Sequence, residues 1–407
     1  MKKTVLREYA KLIAKAGANV QKGQEVFITA ELDQPEFVAM VVDECYKLKA
    51  KKVVVDWSYQ PLTKLHVRYR SVKTLSTLDN YEEARWQHYV DTIPCRIYLI
   101  SEDPDGLRGV NQEKMAKSQQ AKYPIIKGYR DQIENKYQWC IAAVPGEKWA
   151  KKLFPELRAS QAVEKLWEAI LKTSRVTDDP IKAWEDHNRD LHDRCEYLNK
   201  LHIRELRYKS SNGTDFTVGM IPEAQFCGGG ETSLQGIFFN PNIPTEECFI
   251  SPMRGVAEGI VYATKPLSYQ GQLISGFWIR FHEGKAVEWH AEENNELLTK
   301  LIEMDEGSRY LGECALVPFN SPINETGILF YNTLFDENAC CHLALGMGFA
   351  AALIRNVLGL GSLLAFPGSM IGALLCGLAY RACPKLPVAY IGQVFGTCLL
   401  YTSDAAD

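Results

Sequence analysis

The sequence predicts an α/β N-terminal domain, an α+β C-terminal domain and an apolar tail that looks aberrant beside both. Three observations carry this. Extended, β-branched runs alternate with helical spacing through the first half. From Ile203 the texture changes to short strands and turns. Between Arg355 and Arg381 there is no charged residue at all, a stretch of 25 positions.

Gln24–Ala30 (QEVFITA) is a short β-rich run, Gln34–Leu48 has helical spacing, and Lys52–Trp57 (KVVVDW) is a second strand. Strand, helix and strand so close together are the signature of a largely parallel sheet covered by helices. Further strands are expected at Arg96–Ser101 and Gln138–Val144. The first strand runs into Ala30-Glu31-Leu32-Asp33 rather than a glycine-rich phosphate loop, so nucleotide binding is not expected. Ser160–Glu196, rich in helix formers and charge, reads as a helical connector. Beyond it come Glu205–Lys209, Ser211–Thr214, Gly228–Gly230 and Gly259–Thr264, the short strands and turns of a mostly β or α+β region. The boundaries are 1–190, 191–350 and 351–407.

A chain of 407 residues, 46% hydrophobic and 24% charged, has the balance of a globular protein with two or three cores. A net charge of −4 leaves no basic footprint for nucleic acid. The runs Lys47, Lys49, Lys51, Lys52 and Lys148, Lys151, Lys152 read as solvated helix ends. The 12 cysteines are scattered, without a C-x-x-C pair, and no apolar leader follows Met1. Reduced cysteines and a cytoplasmic location are therefore expected, with no structural zinc knuckle.

The densest chemistry lies between 240 and 350. Asn242-Ile243-Pro244-Thr245-Glu246-Glu247 sets two carboxylates after a proline-fixed turn. Tyr310-Leu311-Gly312-Glu313 brings another to the start of an apolar strand, Cys314–Val317. Asp336 and Asn338 read as caps of an apolar helix containing His342. Oxygen and imidazole ligands converging from separate elements suit a hydrolytic metal site. By composition alone, Glu246 and Glu247 read as surface or first-turn helix charges, Glu313 as a satisfied edge carboxylate, His342 as a hydrogen-bonded core histidine, and Cys340 and Cys341 as small core residues.

Residues 240–350 closely resemble the aminopeptidase T, aminopeptidase S and peptidase S group of metallo-aminopeptidases. The matching strings are NPNIPTEE (240–247), ATKPLSYQG (263–271), DEGSRYLGE (305–313), ALVP (315–318) and TGILFYNTLFDENACCHLALG (326–346). YAKLI (9–13) and VQKGQ (20–24) extend the resemblance more loosely to the N-terminal half. It implies an N-terminal α/β domain, a C-terminal metallopeptidase domain and a homodimer acting on peptide substrates. It further implies two divalent cations per site (Zn, Co, Mn or Mg). Carried over by position, Glu247, Glu313 and His342 are metal ligands, with Glu247 or Glu313 as the catalytic base.

The chain departs from the family in two places. Phe349 stands where the family has a tyrosine, and phenylalanine offers no hydroxyl. The family's later His-x-Asp strand has no counterpart, because no histidine follows His342 and the only acids after Glu337 are Asp404 and Asp407. Weak metal binding and impaired activity are expected. The resemblance stops near Ala350, and the end CLLYTSDAAD (398–407) looks like translated sequencing adapter. A frameshift therefore explains residues 351–407 better than an acquired membrane anchor, and no membrane contact is expected. Alternative readings are a non-catalytic, possibly membrane-attached peptide-binding relative, and a small-molecule module built on the first sheet.

Overall fold

A computed structural model describes residues 1–346, apart from Gln270, together with Gly348. The expectations for Phe349 and for the tail 351–407 lie outside the described residues.

Four parallel strands open the chain: β1 (Glu25–Glu31), β2 (Lys52–Ser58), β3 (Cys95–Ile100) and β4 (Trp139–Ala143). Each falls within a residue or two of its expected place. β1 is buried along almost its whole length, as a strand with helices on both faces must be. β2 is an edge strand and correspondingly half-exposed. The helix Pro35–Lys47 crosses between β1 and β2 and places Phe37, Val38, Val41 and Cys45 in the core. Its proline at the first turn lacks only an N–H that has no helical partner there.

After the helices Ala159–Thr173 and Pro180–Lys200 the chain changes character. β5 (Glu205–Lys209) and β6 (Asp215–Met220) are followed by the short pair β7 (Glu231–Thr232) and β8 (Phe238–Phe239), then β9 (Asn242–Ile243), β10 (Cys248–Ile250) and β11 (Pro252–Tyr262). The hairpin β12 (Leu267–Tyr269) and β13 (Gln272–Ile274) precedes β14 (Trp278–His282), β15 (Lys285–His290), β16 (Leu311–Leu316) and β17 (His342–Leu345). Among the described residues, an antiparallel sheet runs β15-β14-β11-β6-β5, and a smaller one runs β10-β16-β17.

The packing does not follow chain order across residue 190. β9 adds to the first sheet, parallel to β4, giving the order β2-β1-β3-β4-β9. The first core, built on Tyr9, Ile28, Ile97, Trp149 and Leu166, also takes in Ile323, Phe330, Leu334, Phe335 and Ala339. Phe330 and Phe335 stack at 4.4 Å, and the Trp149 indole N–H donates to the Phe330 carbonyl at 2.6 Å. The helix Pro180–Lys200 serves both cores, giving Trp184 to the first and Leu191 and Cys195 to the second.

Candidate metal centre

β16 and β17 place two of the three expected site residues. Glu313 pairs across the ladder with Ala344, and Ala315 with His342. In an antiparallel pair, residues two apart share a face and diagonal neighbours come within reach of long side chains. Glu313 and His342 are such a diagonal pair. On the other side of β16, Phe249 pairs with Ala315. Glu247, two residues before Phe249, is directed to that same face at the mouth of β10. The register of three strands thus aims two carboxylates and one imidazole at a common point.

The side chains meet there. One ligand atom from each of Glu247, Glu313 and His342 lies within 4.8 Å of the other two. His342 Nε2 is 3.0 Å from Glu247 Oε2 and 3.3 Å from Glu313 Oε1. His342 Nδ1 lies 3.1 Å from the Cys340 carbonyl, which can only accept, so Nδ1 carries a proton and donates. In the neutral ring the Nε2 lone pair is left facing the carboxylates, the arrangement typical of a metal-ligating histidine.

Glu247 Oε2 and His342 Nε2 are buried and, close as they are, neither has an aligned hydrogen-bond partner. Orphaned buried acceptors are rare and need an explanation. With protons alone to balance the charge, burial opposes the imidazolium, but facing Glu247 and Glu313 outweighs it and lifts His342 to about 11. A divalent cation supplies that positive charge and satisfies both orphaned atoms. The residues present fit one.

Glu337 is a further acidic residue near the site to which the sequence gives no role. Burial first, then the carboxylates of Glu247 and Glu313, push it up to about 8, with His342 opposing. Nothing in TLFDENA distinguishes it by sequence; only the fold brings it near enough to feel Glu247, Glu313 and His342.

Several local expectations need correction. His342 opens strand β17 and is not in a helix. The helix before it is a single turn, Thr333–Asp336, followed by the 3-10 turn Glu337–Ala339. The Asp336 carboxylate accepts from the Phe330 and Asn332 amides instead of capping a helix that carries the histidine. Asn338 is wholly buried in side-chain hydrogen bonds. Glu246 and Glu247 are neither surface charges nor first-turn helix residues: both are buried, in the connection from β9 to β10. Glu313 lies inside its strand, which begins at Leu311. Cys341 is exposed and Cys340 half-buried, so neither is a core residue. A periodicity argument favours helix for an apolar run of this length and has no view of the cross-strand partner that makes it a strand.

Close packing holds the Glu247 backbone. A Cβ built on Gly228 would stand 2.3 Å from the Glu247 carbonyl oxygen, so only glycine fits against it.

The model of the thermophilic metalloprotease family M29 matches residues 2–357. The chain belongs to that family. Among the relatives with which it can be aligned is aminopeptidase AmpS of Bacillus subtilis (strain 168), 38% identical over 347 residues, 85% of this chain and 84% of the relative. Aminopeptidase T of Thermus aquaticus is 36% identical over 353 residues, 86% of each chain. The solved structure of wild-type AmpT from Thermus thermophilus superposes with a TM-score of 0.79 at 36% identity, covering 86% of this chain and 87% of that one. A second family model, thiamine-precursor transporter protein (ThiW), matches residues 341–406. Among the described residues no helix is long and apolar enough to cross a membrane.

Proposed function

We propose that this chain is a metal-dependent aminopeptidase that releases N-terminal residues from peptides, with Glu247, Glu313 and His342 as cation ligands. The observation that carries the reading is the pair of buried atoms, Glu247 Oε2 and His342 Nε2, 3.0 Å apart without an aligned hydrogen bond and beside Glu313. The curated relatives named aminopeptidase support the reaction class. A divalent cation at such a site lowers the pKa of water and polarises the scissile carbonyl. The ion is Zn, Co, Mn or Mg, two per site by the family resemblance.

The protein's own groups do the rest. Glu313, the most open of the three, is the better placed to take a proton from the attacking water and return it to the leaving amine; Glu247 is the alternative base. Its burial suits Glu247 to holding a cation. Glu337 adds a further carboxylate near enough for the Glu247 and Glu313 charges to raise its pKa. The substrate's free amine, held by a carboxylate or cation, confines cleavage to the chain end.

We further propose that the protein works as a cytoplasmic homodimer, and that residues 351–407 arise from a frameshift near Ala350 ending in adapter sequence. Loss of the family's His-x-Asp ligands then weakens cation binding and activity. The transporter-family match over 341–406 favours a second reading, a membrane-attached peptide-binding relative without catalysis.

The test is cation content and hydrolysis of Leu- and Arg-peptides, for the chain as given and with a family C-terminus restored. The expected result is weak cation binding that rises on restoration, with N-terminal release abolished by chelator and by His342→Ala. Chelator-insensitive release, or no cation bound in either form, sinks the reading. Partition of the expressed chain into detergent favours the second one.

A further inference from the structure

Next to Glu247 stands a second buried carboxylate that points elsewhere. Glu246 is 2% exposed, and both its oxygens engage the Arg175 guanidinium, Nη2 to Oε2 at 2.9 Å and Nη1 to Oε1 closer still. The two neighbours reach different partners, Glu246 the Arg175 guanidinium and Glu247 the His342 ring, so what fixes Glu246 also constrains Glu247. A buried carboxylate without a partner would turn toward any nearby cation, and the forked guanidinium prevents that here.

Arg175 lies in the turn between the helices Ala159–Thr173 and Pro180–Lys200, with φ +55°. Left-handed backbone is costly for a side chain of this kind, and glycine would relieve it. The side chain is what the position needs. From the same helix pair, His187 Nε2 donates to the Thr245 carbonyl at 2.8 Å.

Asn338 closes the assembly from the other side. Its Oδ1 accepts from the Glu246 amide at 2.7 Å, its Nδ2 donates to the Leu334 carbonyl at 3.1 Å, and its own carbonyl accepts from Ser321 Oγ at 2.8 Å. Asn338 sits four residues before His342. One fully buried amide therefore ties the segment delivering Glu247 to the segment delivering His342.

We infer that Arg175 and Asn338 are positioning residues that set the Glu247 carboxylate against His342: Arg175 by holding Glu246 to a different partner, Asn338 by fixing the two ligand-bearing segments to each other. This rests on the reading of Glu247, Glu313 and His342 as a cation site.

The experiment titrates the full chain with Co²⁺, read by its visible absorption, beside thermal unfolding of each variant. Arg175→Met and Asn338→Ala should weaken cobalt binding by about 10- to 100-fold and alter the absorption band, as loss of partners behind metal ligands does. Arg175→Lys, which keeps the charge and loses the fork, should recover part of the affinity. Leu166→Ala, a core change without polar contact to the site, should lower the melting temperature and leave cobalt affinity alone. Should Arg175→Met not fold, the double variant Arg175→Met/Glu246→Gln removes the stranded charge; it should restore folding and still bind cobalt weakly. Cobalt affinities in Asn338→Ala and the arginine variants that match the unaltered chain, or fall no further than in Leu166→Ala, overturn the inference and leave the cation site standing. Failure of the unaltered chain to bind cobalt overturns both.

Discussion

The first sheet and the small β10-β16-β17 sheet solve different problems with the same backbone. In the first, β1, β3 and β4 are buried by helices, and apolar contact does almost all the work. In the second, three short strands bring charged groups together at the edge of a core, and polar bonds from distant segments hold them there. Apolar packing tolerates a neighbour of roughly the right shape; a cluster of like charges has one acceptable arrangement. Stability should therefore reside chiefly in the first region and sensitivity to protons and cations in the second.

The sharpest test of that contrast is a residue belonging to both. Phe335 is wholly buried in the first core between Trp149 and Phe330, yet lies seven residues before His342. Phe335→Ala should cost about 3–5 kcal/mol in urea unfolding. It should also weaken cobalt binding. A loss of stability with cobalt affinity intact would show that the regions are independent.

Acidity should separate the two regions next. His342 and Glu337 both have folded values above their ordinary ones, about 11 against 6.5 and about 8 against 4.5. The folded, cation-free chain therefore binds more protons than the unfolded one. Stability is full below the unfolded values and is lost as pH rises, from 4.5 through about 8 for Glu337 and from 6.5 through about 11 for His342. Chelator-treated protein should thus unfold more easily at about pH 9 than at about pH 6. Saturating cobalt should flatten or reverse that slope, because ligands bind cations in their deprotonated forms. A chelated chain that grows more stable with pH would contradict the site's electrostatics.

The smallest effect belongs on the surface. Lys182 pairs with Asp186 one turn along an exposed helix face, at 2.6 Å. Lys182→Ala should change stability by no more than about 0.5 kcal/mol and leave metal binding untouched.

The same contrast explains what could be read from the residues alone. β1, β3 and β4 were legible because a parallel strand covered by helices writes itself as an apolar run, and the edge strand β2 through its β-branched Val53–Val55. The candidate ligands were legible only through resemblance: nothing in TEE, GEC or CCHLAL announces convergence, since the register of β16 against β10 and β17 is a property of pairing, not of spacing. Opposite fates for Glu246 and Glu247 could not be foreseen, because Arg175 lies 71 positions away from its partner. Asn338 reads as capping chemistry because its decisive partner, the Glu246 amide, is tertiary, and Glu337 carries no signal in the sequence for the same reason.

The return of β9 and the Phe330–Phe335 pair to the first sheet also bears on how the chain is made. The flank of β4 and the face around Trp149 stay uncovered until residues far downstream have left the ribosome. Contacts so remote in sequence close slowly. The N-terminal half thus completes its interior only after nearly all of the described chain has been synthesised, and nascent protein presents a long-lived apolar surface to chaperones.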